Sequence, residues 1–155
     1  MIKAIISDFS RVLIFAKDKN FTGKLNDLHE EVSKEEGYDV WNYFYLNEEL
    51  LDFYKELSGK FGMYIFTTRY LQEQPSLKEK LQTVFKDVFI GKTLGLSKQE
   101  SGSYKKIIEK IGLPAGDILY IDDKDYNIKA AREAGLRVIQ YISTENLKEE
   151  IKEYL

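Results

Sequence analysis

The sequence predicts an α/β fold: a doubly wound, mostly parallel sheet with a small helical cap insertion after its first strand. Three observations lead there. Five short apolar runs recur along the chain: "KAIIS" (3–7), "MYIFT" (63–67), "DVFIG" (87–91), "DILYI" (117–121) and "RVIQYI" (137–142). Each is continuously apolar, as expected of strands covered on both faces. Between them lie segments with apolar residues at helical spacing, and strands alternating with helices of this length build parallel sheets. Several runs also lead into polar residues at their carboxyl ends, where sites in such sheets collect.

Length and composition agree with one domain over residues 1–155. The 43% hydrophobic and 14% aromatic content can fill a core. The net charge of -3, from 23 basic and 26 acidic residues spread along the chain, leaves no basic stripe for nucleic acid and no polybasic membrane patch. Cysteine is absent, which removes disulfides, thiolate metal sites and thiol nucleophiles and fits a reducing compartment. Asp8 and Arg11 interrupt the apolar stretch of residues 1–15, so it does not read as a signal peptide. No apolar run is long enough to span a bilayer. The expectation is a soluble, cytoplasmic protein without internal repeats.

Taken in order, "KAIIS" is the first strand and delivers Asp8 at its tip. The stretch from about residue 16 to residue 46 breaks the alternation of strand and helix. It is polar, carries Gly23 and Gly37, contains a helix-like "LNDLHEEVSKEE" and ends in the aromatic run "YDVWNYFYL". It reads as a minimal helical cap lying over the tip of the first strand. Within it, Trp41, Tyr43, Phe44 and Tyr45 read as core packing, and His29, the only histidine, reads as surface among acids. "NEELLDFYKELSGKFG" follows as a helix capped by Asn47, with Leu50, Leu51, Tyr54 and Leu57 on one face and glycine after its last turn. "SLKEKLQTVF" starts a helix at Ser76, just after Pro75. "SYKKIIEKIGLP" groups Ile107, Ile108 and Ile111 before Gly112 and Pro114. "NIKAAREAGL" is a short helix ending at Gly135, and "TENLKEEIKEYL" runs from a Thr144 cap.

The strand tips carry the chemistry. Asp8 follows the first strand, Thr67 and Thr68 end the second, Asp122 and Asp123 end the fourth, and Lys98 lies in the loop "LGLSKQES". In a parallel sheet these converge on one edge. Carboxylates there can hold a divalent cation, and a hydroxyl and an ammonium can hold an anion, a set suited to phosphoryl transfer. Magnesium between Asp8 and Asp123 would neutralise phosphate charge, Thr67 and Lys98 would hold the remaining oxygens, and Asp8 would attack phosphorus. Taken singly, each feature has a plainer reading. Asp8 could end strand pairing, Asp122 and Asp123 could form an acidic turn, Thr67 and Thr68 could be good strand formers, and Lys98 could be a solvated loop residue.

As a set, these residues resemble the haloacid dehalogenase (HAD) superfamily over nearly the whole chain apart from the insertion. "IISDFSRVL" matches the first motif in Asp8 and Val12, "YIFTT" the second in Thr67, and "GLSKQESGSYKKIIEKIGL" the third in Lys98. "ILYIDDKDYNIKAAREAGL" matches the fourth in Asp122, Asp123 and Asn127. The resemblance implies a Rossmann-like fold, Mg2+ dependence and Asp8 as nucleophile, with the backbone carbonyl of Ser10 and the Asp122–Asp123 pair among the metal ligands. Thr67, Thr68, Lys98, Arg69 and Asn127 are then the substrate-binding candidates, and Arg11 also flanks the site.

The chain departs from the family at Ser10, which replaces the Asp that serves as general acid and base, at Arg11, often glycine, and at Gln99, usually proline. A serine hydroxyl is not a proton donor near neutral pH, and losing such a group costs about 10² to 10⁴ in rate. The leading expectation is an Mg2+-dependent phosphatase acting on a phosphorylated small molecule or a macromolecular phosphate. The alternative is a catalytically weak or inactive relative that binds a phosphorylated ligand or protein partner, and the third choice is a 2-haloacid dehalogenase.

Overall fold

The five apolar runs form a single parallel sheet. The computed structural model describes residues 1–155. Its strands are β1 (Ala4–Ser7), β2 (Ile14–Ala16), β3 (Phe44–Leu46), β4 (Gly62–Thr67), β5 (Asp87–Ile90), β6 (Ile118–Asp122) and β7 (Arg137–Gln140). The main sheet has the order β5-β4-β1-β6-β7, with every neighbouring pair parallel. The helices are α1 (Leu25–Val32), α2 (Glu48–Ser58), α3 (Pro75–Leu81), α4 (Gly91–Leu94), α5 (Ser101–Ile111), α6 (Asp125–Glu133) and α7 (Thr144–Glu150).

Alternation along β1 explains the double winding. Ile5 faces a larger apolar cluster with Leu50 and Tyr54 of α2, Leu77 of α3 and Leu147 of α7. Ala4 and Ile6 face a second cluster with Tyr104 and Ile107 of α5 and Ile128 and Ala131 of α6. The strand is buried on both faces, which is why its sequence reads as an unbroken apolar run. Burying a side chain such as Ile5 or Ile6 contributes about 1.5–3 kcal/mol.

Local signals set the helix ends. The Asn47 side chain accepts the Leu50 N–H at 3.2 Å and caps α2. Its amide nitrogen lies 3.2 Å from the Val12 carbonyl, 3.1 Å from the Tyr141 hydroxyl and 2.9 Å from Thr144 Oγ1, so one residue ties three segments together. Two starts differ from expectation. α3 begins at Pro75, whose missing N–H costs nothing in a first turn. α7 is capped by Ser143, which accepts the Asn146 N–H at 3.1 Å, because the Thr144 hydroxyl is turned inward to Asn47 and Tyr141. α5 ends on Gly112 at φ +76°, a conformation that favours glycine.

The insertion is not purely helical. β2 and β3 pair antiparallel, Ile14 with Leu46 and Ala16 with Phe44, and close its base as a two-stranded ribbon. Ile14, Ala16, Phe44 and Leu46 point inward, while Phe15 and Tyr45 stack outside with centroids 5.4 Å apart. The insertion also contains α1 and a 3-10 turn at Val40–Asn42. His29, expected at the surface, is buried, with Nδ1 3.0 Å from the Tyr38 hydroxyl. Burial holds its pKa below the ordinary histidine value, against a small opposing effect of Glu30. Of the aromatic run, Phe44 is fully buried and Tyr45 exposed, so only part of it is core.

Candidate active site

The site is assembled by register. Ser7 is level with Ile65 of β4 and Ile121 of β6, so the carboxyl ends of three central strands finish together. The Asp8 N–H extends the ladder by donating to the Ile121 carbonyl at 2.8 Å. Beyond it the chain turns tightly. Leu13 and Ile14 both donate to the Phe9 carbonyl, at 2.9 and 3.1 Å, and buried Phe9, Val12 and Leu13 anchor the turn. Arg11 occupies the left-handed region at φ +62°, where glycine is unstrained, and its guanidinium donates to the Gly23 carbonyl of the insertion.

Carboxylate oxygens of Asp8, Asp122 and Asp123 lie within 4.8 Å of one another. Lys98, which on its own reads as a solvated loop residue, is buried, with Nζ on Asp8 Oδ1 and 3.5 Å from Asp122 Oδ2. Both donors that reach the Asp8 side chain, the Phe9 N–H at 2.7 Å and Lys98, fall on Oδ1 and leave Oδ2 without a donor. One ammonium does not balance three neighbouring carboxylates out of water. Burial therefore pushes the Asp8 carboxyl up to about 8; Lys98 opposes the shift, and Asp122 and Asp123 add to it. Burial and Asp122 raise Asp123 as well. Burial works against the charge on Lys98, but Asp8 and Asp122 outweigh it and keep the ammonium above its ordinary pKa.

Asp122 and Asp123 differ in their surroundings. Asp122 is wholly buried and meets four donors: the Lys124 N–H at 2.8 Å on Oδ1, and on Oδ2 the Asn127 amide at 3.1 Å, Lys98 and the Tyr120 hydroxyl. Asp123 is partly open to solvent, with the Lys124 ammonium 3.7 Å away. Two oxygens nearby, Ser10 Oγ and Asn127 Oδ1, are shut off from solvent without a hydrogen-bond partner.

Of the other residues singled out by sequence, Thr67 is buried at the end of β4. Thr68 is exposed, with its hydroxyl 3.4 Å from the Asn26 amide of α1. Arg69 is not brought to the carboxylates; it pairs with Asp27 and, at 3.0 Å, with Glu30, both on α1. The Tyr120 contact was missed by motif reading, although a signal was present. Tyr120 lies two residues before Asp122 in the same strand and so shares its face.

The profile of the NLI interacting factor-like phosphatase family matches residues 3–155. Among curated proteins, the enolase-phosphatase E1 of Aquifex aeolicus is 52% identical over 46 residues, which is 30% of this chain and 21% of that protein. The enolase-phosphatase E1 of Naegleria gruberi is 33% identical over 108 residues, 64% of this chain and 42% of that one. The chain thus spans less than half the length of these relatives. Among solved structures, a HAD family enzyme from Bacteroides thetaiotaomicron, crystallised with magnesium and inorganic phosphate, superposes with TM-score 0.73 at 18% identity over 97% of this chain and 99% of that one. A predicted HAD-like family hydrolase from Porphyromonas gingivalis gives 0.72 at 17% identity over 99% and 98%. A family profile covering all but the first two residues establishes that the chain belongs to the NLI interacting factor-like phosphatase family, on a fold shared with HAD family enzymes.

Proposed function

We propose that this protein is an Mg2+-dependent phosphatase with Asp8 as its nucleophile. The observation that carries the reading is the convergence of three carboxylates and a buried lysine at the carboxyl edge of the sheet. The residues fit a hard divalent cation. The cluster offers only oxygen donors, its carboxylates lack sufficient positive charge, and Ser10 Oγ and Asn127 Oδ1 are buried oxygens without partners. Asp8, Asp123 and the Ser10 carbonyl would hold the ion, with Asp122 behind them. Bound there, Mg2+ would supply positive charge against the phosphoryl oxygens.

The chain's own groups do the rest. Asp8 Oδ2, the oxygen free of donors, attacks phosphorus, and the bond to the leaving oxygen breaks with its electron pair on that oxygen. Lys98 stays protonated beside Asp8 and holds phosphoryl charge, with Thr67 as a further contact. Water then hydrolyses the aspartyl-phosphate, which releases inorganic phosphate and restores Asp8. Because Ser10 cannot protonate the leaving oxygen, the preferred substrates are aryl, acyl or anomeric sugar phosphates, whose leaving groups need little protonation. The enolase-phosphatase relatives and the phosphate-bound neighbour support a phosphorylated substrate. The test is turnover of p-nitrophenyl phosphate with Mg2+. The wild type is expected to be active and Asp8→Asn inactive; equal rates would overturn the reading.

Ser10 also favours a second reading, a catalytically weak protein that binds a phosphorylated ligand. Its signature is inorganic phosphate binding without turnover of any member of a phosphate panel.

A further inference from the structure

Two buried tyrosines that match no motif residue touch the site from behind. Tyr104 of α5 and Tyr120 of β6 are fully buried in the smaller apolar cluster, among Ile6, Phe66 and Ile107. Phenylalanine would serve that packing equally well, and a hydroxyl is costly there unless it finds a partner. Both hydroxyls find one. Tyr104 donates to the Lys98 carbonyl at 2.7 Å, and Tyr120 donates to Asp122 Oδ2. Each phenol has one proton, and both are thereby spent. The 3.4 Å separation of the two phenol oxygens is therefore a packing contact between rings standing edge to face, with centroids 5.0 Å apart. Burial raises the pKa of both phenols, so they remain donors.

These two contacts act on one side chain. Tyr104 fixes the main chain from which Lys98 springs. Tyr120 fixes the carboxylate that shares the Lys98 ammonium with Asp8. The stem is further confined by Phe66, whose ring centroid lies 5.4 Å from Nζ. A lysine has four rotatable bonds, and its free rotation would spread the ammonium over a volume larger than the site.

We propose that Tyr104 and Tyr120 are positioning residues for the reaction, a phenol pair that holds Lys98 and Asp122 so that the ammonium rests on Asp8. The proposal rests on the phosphatase reading of the site. It explains how a serine-lysine-glutamine loop presents Lys98 in one orientation: the Tyr104 hydroxyl holds its main chain by a hydrogen bond.

The experiment is steady-state turnover of p-nitrophenyl phosphate at saturating Mg2+ by wild type, Tyr120→Phe and Tyr104→Phe, with a crystal structure of Tyr120→Phe. Displacing a reacting group by about 1 Å costs up to roughly 10² in rate. Accordingly kcat is expected to fall about 10-fold or more in Tyr120→Phe and by a smaller factor in Tyr104→Phe, with KM within about twofold and Nζ displaced from Asp8. Loss of packing alone would lower Tm without dividing kcat from KM at temperatures well below it. A Tyr120→Phe enzyme with kcat within about twofold of wild type, or a crystal structure with Nζ still on Asp8, overturns the proposal. If Tyr120→Phe does not fold, Tyr104→Phe decides by the same criteria. A wild type without turnover defeats the phosphatase reading instead, and the crystal structure then decides the positioning role by itself.

Discussion

Ser10 is the residue on which the proposed activity turns. It stands two places beyond Asp8, at the start of the turn that closes on the Phe9 carbonyl, and its hydroxyl has no partner. Replacing it by Asp puts a proton donor where the leaving oxygen would be, at the cost of one more carboxylate beside Asp8, Asp122 and Asp123. The expected result is selective: Ser10→Asp raises kcat for an alkyl phosphate by about 10² or more, and raises it much less for p-nitrophenyl phosphate, whose leaving group needs no acid. A uniform change across both substrates would count against the missing-acid argument. His29 makes a separate prediction. Its pKa is lowered in the folded protein by burial, so the unfolded chain binds the extra proton more readily. Its contribution to stability is complete above the unfolded value of about 6.5 and is lost as pH falls from there through the lowered folded value. His29→Gln should flatten the pH dependence of Tm between pH 7 and 5 relative to wild type; parallel curves would contradict this.

At the scale of elements, Asn47 shows how one cap can organise a fold. Its side-chain oxygen caps α2, and its amide nitrogen reaches Val12 in the turn after Asp8, Tyr141 just after β7 and Thr144 at the start of α7. Asn47→Ala removes the cap, at about 1 kcal/mol, and strands neighbouring acceptors, at about 1–3 kcal/mol. The measured unfolding free energy should fall by about 2–4 kcal/mol, and Asn47→Asp, which keeps only the cap, should lie between alanine and wild type. The cap itself was legible, because Asn followed by a helical apolar pattern is a local signal. Its other partners were not, since Val12 and Thr144 are distant in sequence. The ribbon of β2 and β3 was missed for a related reason. Three residues are too few to show a period, and "IFA" and "FYL" become strands only by pairing with each other. Arg69 likewise looked like an anion contact from its place after Thr67 and Thr68, and Asp27 and Glu30 claim it instead.

Over the whole molecule, the sheet and the motif tips were legible because both are written locally, as continuous apolar runs ending in Asp8, Thr67 and Asp122. What the sequence left open was how charge is balanced where those tips meet. Lys98 had no local mark of burial, yet the fold spends this cation against a cluster of three carboxylates. Such a cluster holds stability in reserve for function. The carboxylates repel, and a proton on Asp8, a second cation or the loss of a carboxylate relieves them. Mg2+ that binds the folded chain alone stabilises it by RT ln(1 + [Mg2+]/Kd), about 1.4 kcal/mol at ten times Kd. For a domain of this size that is about 3–6 °C in Tm. Asp8→Asn keeps an oxygen for the Phe9 N–H and Lys98 and, above pH 8 where Asp8 is ionised, removes one negative charge, so without metal at that pH it should melt above wild type. Adding Mg2+ should raise the wild-type Tm and leave that of Asp8→Asn nearly unchanged, so that the two converge. Thermal melts of both proteins with and without the ion decide this. A metal-free Asp8→Asn protein less stable than wild type would mean that the Asp8–Lys98 pair stabilises the fold more than the crowded carboxylates strain it.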